Sequence, residues 1–163
     1  MSLDKELYDL VTRLASRLRE ENWRLVTAES CTGGAVAFAL TELPGSSSWF
    51  DCGFVTYSNA SKQMQLGVPS DALMLHGAVS EPVVEAMVSG ALANTDADVA
   101  LAVSGVAGPA GGTPEKPVGT ICLAWKRRGK GVISRTLLIK GNRQDIREAS
   151  VRWVLTGLLE YLE

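Results

Sequence analysis

The residues best suited to chemistry gather where apolar, strand-like runs stop. The first such stretch is Trp23-Arg24-Leu25-Val26-Thr27-Ala28-Glu29-Ser30-Cys31-Thr32-Gly33-Gly34, after which Ala35–Leu40 resumes with helical character. A strand that feeds a helix through two glycines leaves backbone N–H groups at the helix start, where negative charge is favoured. A hydroxyl or thiol beside such donors can attack a carbonyl while the donors hold the resulting oxyanion. Ser30 or Thr32 would serve equally well as a plain helix cap, so the chemistry around them has to decide.

Two further loops leave the ends of predicted strands with unusual residues. One carries Tyr57 and Lys62, which a strand ending at Tyr57 and a helix capped by Asn59 place at one edge of a sheet, the edge where open α/β proteins keep their sites. The other is Ser104-Gly105-Val106-Ala107-Gly108-Pro109-Ala110-Gly111-Gly112. Glycine costs stability unless the backbone turns tightly or lies close to something, so Ser104, Gly105, Gly108, Gly111 and Gly112 mark a place for a small ligand bearing phosphate or carboxamide groups. Neither glycine-rich loop fits the P-loop or the dinucleotide fingerprint. The serines of Gly45-Ser46-Ser47-Ser48 offer hydroxyls to the same ligand, or a flexible link.

For the reaction itself, His76 is the only histidine and stands in a connector without a triad partner. A serine with a lysine base is more economical, because a lysine packed among apolar groups and backbone dipoles can lose its proton near neutrality. Lys62 is the candidate base for Ser30, with Tyr57 able to share its hydrogen bonds, although a lysine is more commonly a solvated surface group. Cys31 is the competing nucleophile, since a thiol at a helix N-terminus has a lowered pKa. Glu29 is an acid or base, or neutralises a cation. Arg143, opening the last helix, is placed to reach a phosphate.

The elements that must position these residues can be read from periodicity. Leu3, Leu7, Leu10, Val11, Leu14 and Leu18 put an amphipathic helix over 3–21. Strands are expected at Leu25-Val26, Phe50–Tyr57, Ala97–Val103, Val118–Trp125 and Val132–Ile139, the last two forming a hairpin around Lys126-Arg127-Arg128-Gly129-Lys130. Helices are expected from Asn59 to about Gly67, over Asp71–Leu75, from Ser80 to about Asn94 and over Arg143–Tyr161. In the last of these Ile146, Ala149, Trp153, Val154, Leu158 and Leu159 face inward. The fully apolar Ala97–Val103 suits a strand buried on both faces. The fold class is therefore α/β: a single domain over 1–163, built as a three-layer α/β/α sandwich with a mixed central sheet.

Composition narrows the function. The chain of 163 residues is 46% hydrophobic and 21% charged, with net charge −2, which suits a globular domain and not a polyanion-binding surface. No nucleic-acid or membrane partner is expected: no apolar run reaches the eighteen or so residues of a span. Three cysteines without a C-x-x-C pair fit a reducing cytoplasm and give no disulfide framework. No metal site is expected: paired histidines or cysteines for zinc are lacking, and no D-x-D-like cluster invites magnesium.

Taken together, Ala28–Gly34, Gly53-Phe54-Val55-Thr56-Tyr57-Ser58-Asn59, Gly77-Ala78-Val79-Ser80-Glu81 and Ser104-Gly105-Val106-Ala107-Gly108-Pro109 closely resemble the nicotinamide mononucleotide (NMN) deamidases, the CinA C-terminal domain family. The likeness runs from about Leu7 to Leu159 and includes Pro114–Gly119; Ser104 departs from a threonine common there. It implies a free-standing deamidase that converts NMN to nicotinate mononucleotide and ammonia in NAD recycling. It also implies Ser30 as nucleophile, Lys62 as base and Tyr57 beside them, no cofactor, and a homo-oligomer, with a dimer favoured. Backbone N–H groups around Cys31–Gly33 would hold the oxyanion. Phosphate and ribose would fall to Thr32, Ser47, Ser48 and the 104–112 loop. A non-catalytic pyridine-nucleotide-binding module, or an amidohydrolase of another small amide, is the alternative. Trp49 and Phe50 suggest a partner subunit covering the site.

Overall fold

The computed structural model describes residues 2–163. Asp4 caps helix α1 (Lys5–Glu20) by accepting the Leu7 N–H at 2.9 Å, and Leu7, Val11, Leu14 and Leu18 form its buried stripe. Then follow β1 (Leu25–Glu29), α2 (Ala35–Thr41), β2 (Phe50–Val55), α3 (Asn59–Leu66), α4 (Ser70–His76) and α5 (Glu81–Ala93). The chain ends with β3 (Val99–Gly105), β4 (Thr120–Arg127), β5 (Val132–Leu138) and α6 (Arg143–Leu162).

The five strands lie in the order β2-β1-β3-β4-β5, with β2, β1 and β3 parallel and the β3-β4-β5 pairs antiparallel. Side-chain alternation gives the sheet two unlike faces. Leu25, Val99, Leu101, Val103, Ile121, Leu123 and Trp125 pack under α1, α2 and α6. Val26, Ala28, Ala100, Ala102, Cys122 and Ala124 lie under α3, α4 and α5, where small residues let α5 come close. The result is the expected three-layer sandwich with a mixed sheet. Helices α3 and α5 touch at Gly90, where an added Cβ would stand 1.8 Å from the Leu66 carbonyl oxygen. That contact fixes how near the sheet α3 lies.

Some expectations are corrected. Strand β2 stops at Val55, and Gly45 leads into a short 3-10 turn at Ser46–Ser48 instead of a loose loop. Trp49 is fully buried in the core, so it is not a surface awaiting a partner subunit. Trp153 is 47% exposed. It precedes the inward-facing Val154 by one residue, about 100° round the helix, which turns it off the stripe of Ile146, Ser150, Val154 and Leu158.

Candidate active site

Parallel pairing brings three chain segments to one point. Glu29 stands opposite Val103 on one side and Val55 on the other, so the next residues lie abreast: Ser30 and Thr56 just past the ends of β1 and β2, and Ser104 near the end of β3. The Ser30 N–H donates to the Val103 carbonyl at 2.9 Å and the Thr56 N–H to the Glu29 carbonyl at 2.8 Å, holding this junction. Ser58, not Asn59, caps α3 by accepting the Ser61 N–H at 3.0 Å. The first turn of α3 then directs Lys62 back over the end of β1.

The Lys62 Nζ lies 2.9 Å from the Ser30 Oγ, 2.7 Å from the Thr56 carbonyl oxygen and 3.3 Å from that of Tyr57. Lys62 is 1% exposed and forms no salt bridge among the described residues. Burial without a counter-charge pulls its pKa below the ordinary lysine value. A neutral amine satisfies this environment well: two N–H groups go to the carbonyls, and the lone pair is left for the Ser30 hydroxyl proton.

The 30–34 turn differs from the vacant anion site expected of it. The Glu29 carboxylate fills the start of α2, accepting the Val36 and Ala37 N–H groups at 2.8 and 3.1 Å and the Thr32 hydroxyl at 2.7 Å. Glu29 is thus an internal helix cap buried away from ligands, and the Thr32 hydroxyl is committed to it. The Gly33 N–H is also taken, by the Ser30 carbonyl at 3.0 Å. Among the described residues the Thr32 N–H has no acceptor and the Cys31 N–H has none beyond its own thiol, so these two are the donors of the turn left to meet a ligand oxygen. The Cys31 thiol faces the core and burial pushes its pKa up to about 11, so it stays protonated and is no nucleophile at neutral pH.

Around this pair, Tyr57 contributes its backbone carbonyl to Lys62, while its phenol, on a side chain 60% exposed, accepts a bond from Arg143 at 3.1 Å. The hydroxyl is therefore not part of the Ser30–Lys62 contact. Arg143 also donates to the Gly108 carbonyl at 2.8 Å, tying the third loop to the mouth of the site. Ser104 stands beside Ser30 by register. Gly105 packs so tightly that a Cβ would meet Ile121 at 2.2 Å, which is a packing reason for that glycine. Gly111 and Gly112 have positive φ at the turn closed by the Thr113 N–H and the Lys116 carbonyl. Ser47 and Ser48 are not brought to the site. They precede β2 at the opposite end of the sheet, roughly 16 Å away at about 3.3 Å per strand residue, and Ser48 donates to Gly45.

Sequence reasoning missed Arg147 and Thr56. Arg147 donates from Nε to the Cys31 carbonyl at 3.1 Å and from Nη2 to the Thr32 carbonyl at 3.0 Å. Its spacing of four from Arg143 marks a shared helix face, but no pattern reveals which loop that face meets. Arg143 and Arg147 also line a cavity of about 670 Å3 between α1, α2 and α6, walled by Leu3, Leu7, Ala35 and Phe38.

Residues 7–162 match the family described as the CinA C-terminal domain. The nicotinamide-nucleotide amidohydrolase PncC of Pseudomonas putida is 54% identical over 151 residues, covering 93% of this chain and 94% of that one. The protein of the same name from Escherichia coli K12 is 46% identical over 156 residues, 95% of this chain and 94% of that one. Among solved structures, the competence/damage inducible protein CihA of Agrobacterium tumefaciens superposes with a TM-score of 0.95 at 43% identity, covering 99% of both chains.

Proposed function

The chain belongs to the CinA C-terminal domain family, and on that premise we propose that it is an amidohydrolase that cleaves the carboxamide of NMN, giving nicotinate mononucleotide and ammonia for NAD recycling. The observation that carries the proposal is the buried 2.9 Å contact between Lys62 Nζ and Ser30 Oγ. Neutral Lys62 takes the Ser30 proton as Oγ bonds to the carboxamide carbon. The oxyanion is held by the Cys31 and Thr32 N–H groups. Lys62 then passes the proton to the amide nitrogen as the C–N bond breaks and ammonia departs. Water attacks the nicotinoyl ester with its proton going to Lys62, the ester C–O bond breaks, and the proton returns to Ser30. Every step is a proton transfer or an acyl transfer, and the Ser30–Lys62 contact that relays the proton is already formed.

Arg143 at the mouth, with its link to Tyr57, is the proposed holder of the substrate phosphate. A homodimer in the cytoplasm, where Cys31, Cys52 and Cys122 stay as thiols, completes the proposal. Ammonia release from NMN, nicotinamide riboside and nicotinamide, by wild type and Lys62→Ala, is the test. We expect NMN to be turned over best by the wild type, and roughly two to four orders of magnitude more slowly by the variant. Tight binding of NMN without ammonia release would instead make the chain a pyridine-nucleotide-binding module, and preference for the free base would remove the phosphate role of Arg143.

A further inference from the structure

We propose that Arg147 is a positioning residue for catalysis, holding the Cys31–Thr32 peptide so that its N–H faces the oxyanion formed at Ser30. The inference rests on Ser30 being the nucleophile, as proposed above. In a planar trans peptide the C=O and N–H point opposite ways. Arg147, on α6, draws the Cys31 carbonyl toward itself at 3.1 Å, and so turns the Thr32 N–H to the other side. Its second bond, to the Thr32 carbonyl at 3.0 Å, fixes the adjoining peptide as well. The remaining restraints on this turn are local: Gly33 N–H to the Ser30 carbonyl, Ala35 N–H to the Thr32 carbonyl at 3.1 Å, and the Thr32 hydroxyl to Glu29, none of which holds the Cys31 carbonyl. Arg147 alone, among the described residues, donates to the Cys31 carbonyl. Without it that carbonyl is free to rotate toward water and carry the Thr32 N–H out of line.

The planar guanidinium suits this task because two N–H groups in a fixed fork meet two successive carbonyls. A lysine ammonium holds them less strictly. An Ala side chain at 147 holds neither. Arg147 acts through the loop and not on the reacting atoms, which is why its loss should lower the rate of attack and leave substrate affinity alone.

The experiment measures the rate at which a fluorophosphonate probe modifies Ser30, read by mass spectrometry, in wild type, R147K and R147A. The Ser30 oxygen bonds to phosphorus, the P–F bond breaks, fluoride leaves, and Lys62 takes the serine proton. This step uses the oxyanion donors without requiring NMN. We expect R147A to react about 10- to 100-fold more slowly, R147K to fall between, and added guanidinium to restore part of the R147A rate. In NMN hydrolysis kcat should fall by a similar factor with KM within about twofold. Wild-type labelling rates in folded R147A overturn the inference; should R147A not fold, wild-type rates in R147K do so. Labelling of wild-type Ser30 without ammonia release from NMN removes the substrate reading only and leaves the variant labelling rates to decide this inference. No labelling of wild-type Ser30 overturns both.

Discussion

Lys62 is an amine among two carbonyl oxygens and one hydroxyl, with no carboxylate to keep it charged. Below its lowered pKa it is protonated and cannot accept the Ser30 proton. The kcat/KM for amide hydrolysis should therefore climb about tenfold per pH unit and level off at a pH below the ordinary lysine value of 10.5. A flat profile across that range would remove Lys62 as the base. Lys62→Ala should lower kcat by roughly two to four orders of magnitude. The linkage to stability has a definite sign: a lysine pKa depressed by folding gives stability that is present above 10.5 and lost as pH falls through the folded value. Cys31 presents the opposite case. Its thiol, with a pKa near 11, does no chemistry, so Cys31→Ala should keep kcat within about threefold while losing about 1 kcal/mol of packing. Steady-state kinetics and a Tm lower by roughly 3 °C would check this.

At the scale of elements, the site depends on how two helices are set against the sheet. Glu29 ends β1 and caps α2 with the same carboxylate, so the turn between them is fastened from inside and Ser30 is presented at its start. Helix α3 carries the lysine, and its depth is set by α5 at Gly90. A methyl at 90 would stand 1.8 Å from the Leu66 oxygen, and the two helices would have to separate. Gly90→Ala should cost about 1–3 kcal/mol or more, and by shifting α3 it should lower kcat as well. Denaturant unfolding together with kinetics tests this, and unchanged activity at reduced stability would show that α3 does not depend on that contact.

For the whole molecule, parallel pairing of β2, β1 and β3 gathers Ser30, Thr56 and Ser104 at one edge of the sheet and sends the Ser46–Ser48 turn to the other. Ser47→Ala and Ser48→Ala should therefore leave turnover of NMN within about twofold of wild type, measured as ammonia release. A loss of tenfold or more would mean that a second copy of the chain brings these serines to the site. The antiparallel β3-β4-β5 half adds no reacting group, and it supplies the broad apolar face on which α6 lies. That helix in turn sends Arg143 and Arg147 to the loops of the parallel half.

Periodicity and turn residues were enough to place six helices and five strands to within a few positions, because burying a face imposes a repeat of 3.6 or 2 on the chain itself. Spacing placed Ser30 after a strand end and Lys62 on a short helix at the same sheet edge, both local structures, but their roles as nucleophile and base came from the family resemblance of the motifs around them. What the chain alone left open depends on contacts between distant segments. Whether the start of α2 was vacant or filled by Glu29, whether the Cys31 thiol met solvent or core, and whether Ser47–Ser48 shared an edge with Ser30 were settled by packing and sheet order. Arg147 meets a loop 115 residues away, and a contact of that kind exists only once α6 has docked on the sheet, since no local repeat records where a helix face will land.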